Sequence, residues 1–257
     1  MDRPDFATYP SLRDKVAFIT GGGSGIGAAL VEAFAAQGAK VAFVDIAEEE
    51  SRQLCDKLAR TYGAAPLFIP CDIADVAGLQ AAIAQAARAL GDIGVLVNNA
   101  ASDTRHDWMD VDTAYWDERM AVNLRPMFFA IQAVAPQMQR RGGGSIINFG
   151  SISWKMGIGN MPAYVTAKAA VHGLTRGMAR ALGKDGIRVN TVLPGWVMTE
   201  RQLKLWVTPE AEELIDRSQC LPGRVQPRDL AGMVLFLAAE NSRMCSAQEF
   251  TVDGGWV

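Results

Sequence analysis

Along the chain, short runs of β-branched and aromatic residues alternate with longer stretches in which apolar residues return every three or four positions. The runs at 16–19, 41–44, 67–69, 95–97, 146–149, 189–192 and 250–252 read as strands. Between them, Ile26, Leu30 and Phe34, then Leu54, Leu58 and Tyr62, then Val76, Leu79, Ile83 and Leu90 each mark one apolar face of a helix. Val171, Leu174, Met178 and Leu182, and later Leu230, Val234 and Leu237, do the same nearer the C-terminus. Strand, helix, strand repeated in this way implies right-handed crossovers and a parallel sheet covered on both faces. The expected fold class is α/β: a doubly wound, Rossmann-type sheet of seven parallel strands with helices on both sides.

No linker, repeat or low-complexity segment divides the chain, so a single domain over 1–257 is expected. The longest stretch without a strand or helix signal runs over 195–227 and carries Trp196 and Trp206, the profile of a lid or binding loop. A length of 257 residues with 49% apolar content supports a large core and excludes disorder. The 25 basic and 28 acidic residues sum to −3 with no polybasic run, so nucleic acid is not an expected partner. Cys55, Cys71, Cys220 and Cys245 form no C-x-x-C pair and read as small buried apolar residues, reduced in a cytoplasmic protein. No apolar stretch approaches the ~18 residues of a membrane span. The start Met1-Asp2-Arg3-Pro4-Asp5 lacks the character of a signal peptide. With His106 and His172 as the only histidines, no metal site is expected, and a catalytic base should be sought among other residue types.

Directly after the first strand comes Thr20-Gly21-Gly22-Gly23-Ser24-Gly25-Ile26-Gly27. Glycines allow a tight turn and close approach to a pyrophosphate, and the helix that follows presents N–H groups and a positive dipole end. The spacing is G-x-x-x-G-x-G, so the generic dinucleotide fingerprint is not literally met. Asp45 ends the second strand, where a carboxylate can bind both ribose hydroxyls and repel a 2′-phosphate, which favours NAD over NADP. A cap for the helix at Glu48 to Glu50 is the lesser reading. Asp72, after the third strand, reads as a cap or as a residue at the sheet edge where an adenine would lie, and Asn98-Asn99-Ala100 follows the fourth.

Tyr164 and Lys168, four residues apart on a helix, share one face, and Ser151 closes the fifth strand at the sheet edge where ligands bind. A phenol with a pKa of about 10 becomes a base at neutral pH only if neighbouring positive charge favours the phenolate. Ser151 can orient the reacting oxygen by hydrogen bonding.

Taken in chain order, the glycine turn, Asp45, Asn98-Asn99-Ala100, Asn123, Ser151, Tyr164 and Lys168 resemble the short-chain dehydrogenase/reductase family over essentially the whole chain. The resemblance implies an NAD-dependent enzyme with Tyr164 as general base and Lys168 lowering its pKa and binding the nicotinamide ribose. Ser151 would position the substrate, and Asn123 would hold a relay water. It implies a cofactor set of Gly21, Gly23, Ser24, Gly25, Ile26, Gly27, Asp45, Ile46, Asp72, Ile73, Asn99, Ala100, Tyr164, Lys168, Pro194, Gly195, Val197 and Thr199. The family's Asn-Asn-Ala-Gly reads Asn98-Asn99-Ala100-Ala101 here, a departure that bears on substrate shape more than on the cofactor.

A closer resemblance is to bacterial NAD-dependent aldose 1-dehydrogenases of the D-xylose type. It rests on Tyr9-Pro10-Ser11-Leu12, Tyr115-Trp116-Asp117-Glu118-Arg119, the segment from Gly142 to Trp154, and Gln219-Cys220-Leu221. The implied reaction oxidises the anomeric carbon of a pentose or hexose to the aldonolactone; a sugar acid, polyol or other secondary alcohol is the alternative substrate, and a silent nucleotide-binding scaffold the alternative class. Ser151, Trp154, Asn160, Tyr164, Arg105 and His106 are the expected sugar contacts. Arg105 and His106 can also belong to a solvated loop, Trp154 to the core and His172 to a subunit surface. The closing Val252-Asp253-Gly254-Gly255-Trp256 resembles the family's tetramer contact and can equally pack within the chain.

Overall fold

The structure is a computed structural model that describes residues 6–257. The signal-peptide reading of Met1 to Asp5 lies outside the described residues. Seven strands form one sheet: β1 (Val16–Thr20), β2 (Lys40–Asp45), β3 (Leu67–Pro70), β4 (Val95–Asn98), β5 (Gly144–Phe149), β6 (Ile187–Pro194) and β7 (Glu249–Val252). Their order is β3-β2-β1-β4-β5-β6-β7 and every pairing is parallel. All seven predicted strands are present, most of them one or two residues longer than the apolar run that announced them.

Period-two alternation splits the strand side chains between two cores. Ala17 and Ile19 of β1 and Val41 and Phe43 of β2 join Leu30, Phe34, Val234 and Leu237 beneath α1 (Gly25–Ala36) and α10 (Pro227–Ala238). Val16 and Phe18, Ala42 and Val44 point the other way, to Leu79, Ile83, Ile131 and Val134 of α3 (Val76–Leu90) and α5 (Arg125–Arg140). The remaining helices are α2 (Glu48–Tyr62), α4 (Thr113–Asn123), α6 (Ser153–Met156), α7 (Pro162–Leu182), α8 (Glu200–Leu205) and α9 (Pro209–Ser218).

Two helical stretches differ from the sequence expectation. α4 and α5 fill the β4–β5 crossover, and α5 continues through Pro136, a residue that interrupts a helix signal read from composition. The segment 195–227 is a helical pair and not an irregular loop. Thr199 and Thr208 cap α8 and α9 with their hydroxyls, accepting from Gln202 N and Ala211 N.

The strand order reverses between β1 and β4. In such sheets the crevice outside the C-terminal strand ends at the reversal is the ligand position. Thr20, Asp45, Asn98, Phe149 and Pro194 end β1, β2, β4, β5 and β6 along that edge. Among the described residues no helix is long and apolar enough to cross a membrane.

Candidate active site

The glycine turn is held from both sides of the reversal. Gly21 has φ +68° and Gly25 φ +53°, conformations that suit glycine. A Cβ on Gly27 would lie 1.7 Å from the Gly21 carbonyl oxygen, so α1 meets the turn at a distance only glycine allows. Asn99 donates from Nδ2 to the carbonyls of Thr20 and Gly21, both at 3.0 Å. The Thr20 hydroxyl accepts from the backbone N–H groups of Asn99 and Ala100 at 3.0 and 3.1 Å. The two strand ends are thereby locked in register.

Asp45 binds the turn from the other side. Its Oδ2 accepts from Gly23 N at 2.8 Å and its Oδ1 from Ala47 N at 2.9 Å. It does not cap α2, whose N-cap position is Ala47. Ile46 beside it is 74% exposed, an apolar side chain standing at the crevice rim. Asp72 is exposed and closes its own turn by accepting from Ala74 N at 2.9 Å, while Ile73 is buried in the α3 core. Ser24 stands at the N-cap of α1 without a side-chain bond, which leaves first-turn N–H groups available to an anion. Ile26 packs against the α1 core behind them.

The segment after β6 closes the crevice. Gly195 N donates to Val252 O at 2.9 Å, and a Cβ at Gly195 would strike Asp253. Pro194 accepts from Ile152 N, Val197 is buried in the α1 core, and Thr199 lies against the Gly25 backbone. Positive-φ glycines, an outward helix start, and a strand-end carboxylate with an apolar neighbour make a cradle that fits a dinucleotide.

Across the reversal, Tyr164 and Lys168 project from the first two turns of α7. Lys168 is 1% exposed. Its Nζ donates to Phe149 O at 2.8 Å and lies 5.6 Å from the Tyr164 ring centroid. Burial pushes the Lys168 ammonium down to about 8, and the Asp103 carboxylate works against that fall. Burial pushes the Tyr164 phenol well above its ordinary value, Asp103 adds to the rise, and a hydrogen bond with Ser151 opposes it. Ser151 Oγ also accepts from Ser153 N at 3.1 Å, which orients the hydroxyl. A buried polar ladder stands behind the pair: Asn98 Nδ2 donates to Asn148 Oδ1, Asn148 Nδ2 to Thr175 Oγ1, and Thr191 Oγ1 to Thr175 Oγ1, at 2.8, 3.0 and 2.8 Å.

Two of the expected site residues bind the chain itself. The Asn123 carboxamide is spent on the chain, accepting from Ser102 N at 2.9 Å and donating to Ser102 O and Arg119 O at 3.1 and 3.0 Å. It clamps the loop after β4. Both nitrogens of the His106 ring have partners within the chain: Nδ1 lies 2.9 Å from Tyr115 Oη and 3.1 Å from Thr104 O, and Nε2 accepts from Ala163 N at 3.3 Å.

Other expected sugar contacts gain neighbours. Trp154 meets His172 edge-on at 4.8 Å and has the Lys155 ammonium 5.7 Å from its ring. His172 in turn binds Glu249 of β7. Arg105 stacks on Trp206 at 4.2 Å and faces Trp196 at 5.6 Å. Asn160 is exposed and its carbonyl accepts the His106 N–H at 2.8 Å. Trp256 lies 6.5 Å from Trp196, a contact within the chain. The cysteines depart from the expectation of burial: three are half-buried, Cys220 is exposed, and all are free. No cluster of three or more metal-ligating side chains occurs among the described residues.

The structure makes Asp103 a junction. Its Oδ2 accepts from Gln202 Nε2 at 2.6 Å and its Oδ1 from Arg201 Nε and Nη2, both at 3.3 Å. The loop after β4 is thus tied to α8. Neither Arg201 nor Gln202 carries a signal in the sequence, because nothing in their spacing relates them to a residue 98 or 99 positions away.

Comparison with known proteins agrees with this architecture. The family described as "Enoyl-(Acyl carrier protein) reductase" matches residues 21–257. The chain is 52% identical to a D-xylose 1-dehydrogenase of Caulobacter vibrioides over 250 residues, 97% of this chain and 98% of the relative. It is also 52% identical to the Rhizobium meliloti protein named "Probable galactose dehydrogenase GalD" over 247 residues, 96% of each. Among solved structures, a 7α-hydroxysteroid dehydrogenase complexed with NADH and 7-oxo glycochenodeoxycholic acid superposes with a TM-score of 0.91 at 34% identity, covering 96% of this chain and 97% of the other. Parallel seven-stranded sheet, glycine turn, Asn99 latch and the Tyr164–Lys168 helix lead to one conclusion: the chain belongs to the short-chain dehydrogenase/reductase family.

Proposed function

We propose that this enzyme oxidises the anomeric carbon of a pentose or hexose to the aldonolactone, with NAD as the electron acceptor. The observation that carries the chemistry is the buried Tyr164–Lys168 pair with Ser151 at the edge of β5. The sugar assignment draws on the 52% identity, over nearly the whole of both chains, to proteins named for D-xylose and galactose.

The glycine turn and the start of α1 would hold the pyrophosphate, Asp45 the adenosine ribose, Ile46, Asp72 and Ile73 the adenine edge, and the segment from Pro194 to Thr199 the nicotinamide. Asp45 disfavours NADP because a 2′-phosphate would meet a carboxylate already held by Gly23 N. When bound, the oxidised nicotinamide supplies the hydride acceptor and a positive charge beside the phenol.

Tyr164 takes the proton from the anomeric hydroxyl while the C1 hydrogen leaves as hydride for the nicotinamide, so one hydride and one proton depart and the C1–O bond becomes the lactone carbonyl. Ser151 donates to the same oxygen and holds it in line. Lys168 favours the phenolate as long as it keeps its proton, and its lowered value of about 8 leaves it mostly cationic at neutral pH. α8 and α9 act as the lid, latched through Asp103, with Arg105 and Trp154 offering a donor fork and an aromatic face to a polyol. The enzyme is read as a cytoplasmic homotetramer, in keeping with four unpaired cysteines and the C-terminal Val252-to-Trp256 segment.

The test is NADH formation across D-xylose, L-arabinose, D-galactose, L-fucose, polyols and sugar acids, each with NAD and NADP. At least one aldose should lead, with NAD preferred. A polyol or sugar acid that outpaces every aldose overturns the substrate class, and a preference for NADP overturns the role of Asp45.

A further inference from the structure

The helix that carries Tyr164 starts without the usual means of satisfying its first donors. Its N-cap residue, Met161, has no side-chain bond to the helix, and the first helical residue, Pro162, has no N–H. The first N–H of α7 is therefore that of Ala163, the immediate neighbour of Tyr164. A donor at this position is ordinarily met by a Ser, Thr, Asp or Asn at the N-cap. Here the acceptor arrives from 57 residues away: His106 Nε2 lies 3.3 Å from Ala163 N.

The rest of the imidazole is arranged to keep that nitrogen bare. Nδ1 faces the Thr104 carbonyl at 3.1 Å, and a carbonyl only accepts, so Nδ1 carries the hydrogen. Tyr115 Oη, 2.9 Å from the same Nδ1, provides a second acceptor from α4. The ring packs edge-on against Tyr115 at 4.9 Å, and the His106 backbone N–H ties the same residue to Asn160 O at the approach to α7. Tyr115 is held in turn by the Arg119 guanidinium, 5.1 Å from its ring, and Arg119 reaches back to Ser102 Oγ at 2.9 Å. His106 thus closes a chain of contacts from α4 through the loop after β4 to the first N–H of the tyrosine helix.

We propose that His106 is a positioning residue that caps α7 from the loop after β4 and so sets where the Tyr164 phenol stands. The role rests on the reading of Tyr164 as the base. It makes the loop that borders the substrate crevice and the base that acts in it one mechanical unit. His106 acts as a hydrogen-bond acceptor to the backbone and takes no proton from the substrate.

The test compares His106→Ala, His106→Gln and Tyr115→Phe in steady-state kinetics and in amide hydrogen exchange over 161–167. Removing the acceptor should lower kcat about tenfold, a plausible cost for a small misplacement of a catalytic group, with both KM values within about twofold. Exchange at Ala163 and Tyr164 should rise about tenfold with α5 unaffected, as expected for a frayed helix start. Gln, an uncharged acceptor on a longer side chain, should recover kcat to within about threefold of the parent, and Tyr115→Phe should fall between the two. A rise in sugar KM with kcat kept would make His106 a substrate contact and overturn the proposal. So would a Gln variant no better than Ala, or exchange at Ala163 that does not change. If the Ala variant does not fold, the Gln and Tyr115→Phe pair decides on the same readouts. If the parent oxidises no aldose, the exchange measurements still decide the cap, while the sugar reading falls separately.

Discussion

At the nucleotide side of the crevice the fixing groups are backbone atoms and short side chains next to strand ends: Gly23 N on Asp45, Thr20 and Gly21 carbonyls under Asn99, the Gly27 approach to Gly21. At the substrate side they are long side chains from separate segments: Asp103 under Arg201 and Gln202, Arg105 on Trp206, His106 on Ala163. The first construction tolerates almost no added atom, because backbone forms at least one side of each contact. The second has room to be re-sculpted, because each contact is a side chain that another side chain can replace. Within one domain, the nucleotide side is fixed largely through backbone and the substrate side through exchangeable side chains.

The comparison can be broken most severely at the chemistry the two sides share. Tyr164→Phe keeps the ring and deletes the proton acceptor, so kcat/KM should fall by about a thousandfold. Retention of more than a few per cent of NAD-linked activity would end the tyrosine mechanism. Next in size is Gly27→Ala, whose Cβ would fall 1.7 Å from a backbone oxygen. Calorimetric titration should show NADH affinity lower by at least about thirtyfold, the cost of forcing the turn open. Wild-type affinity would show that the nucleotide side is as plastic as the other.

Lys168→Met separates function from stability. The lysine's value falls from 10.5 unfolded to about 8 folded, so below pH 8 the folded chain bears the full cost of a buried ammonium. Between pH 8 and 10.5 the unfolded chain binds a proton the folded one does not, and stability rises with pH. The Met variant should be inactive and more stable by about 2 kcal/mol at pH 7, with the gain fading as the pH approaches 10.5. Denaturant melts at three pH values would check this, and a variant less stable at pH 7 would refute it.

The smallest effect is expected at the substrate side. Asp103→Asn removes a negative charge that raises the Tyr164 value, so the rise of kcat/KM with pH should move to lower pH by less than about one unit. The weakened tie to Arg201 should raise sugar KM about threefold, in keeping with a partly exposed ion pair. A shift to higher pH would show that the latch matters through geometry and not through charge.

The strands were legible because a buried parallel sheet demands continuous apolar runs, and the cofactor turn because its glycines are contiguous. α4 and α5 went unnamed since their apolar stripe is interrupted by Arg119, Arg125 and two prolines, and α8 and α9 since each is short and rests on caps. Asn123 and His106 were recognisable as important positions, yet their partners could not be read. An amide and an imidazole can each donate or accept in several directions, and only the packed loop selects which.

The sequence alone determined the seven parallel strands, the glycine cradle with Asp45 at its end, and the Tyr164–Lys168 face, because each is a local pattern whose period or spacing suffices. The tertiary structure decided that Asp103 latches α8, that Asn123 clamps Ser102, and that a histidine caps the helix of the tyrosine. Those contacts join residues 21 to 99 positions apart, and their existence depends on how two loops fold over one sheet edge.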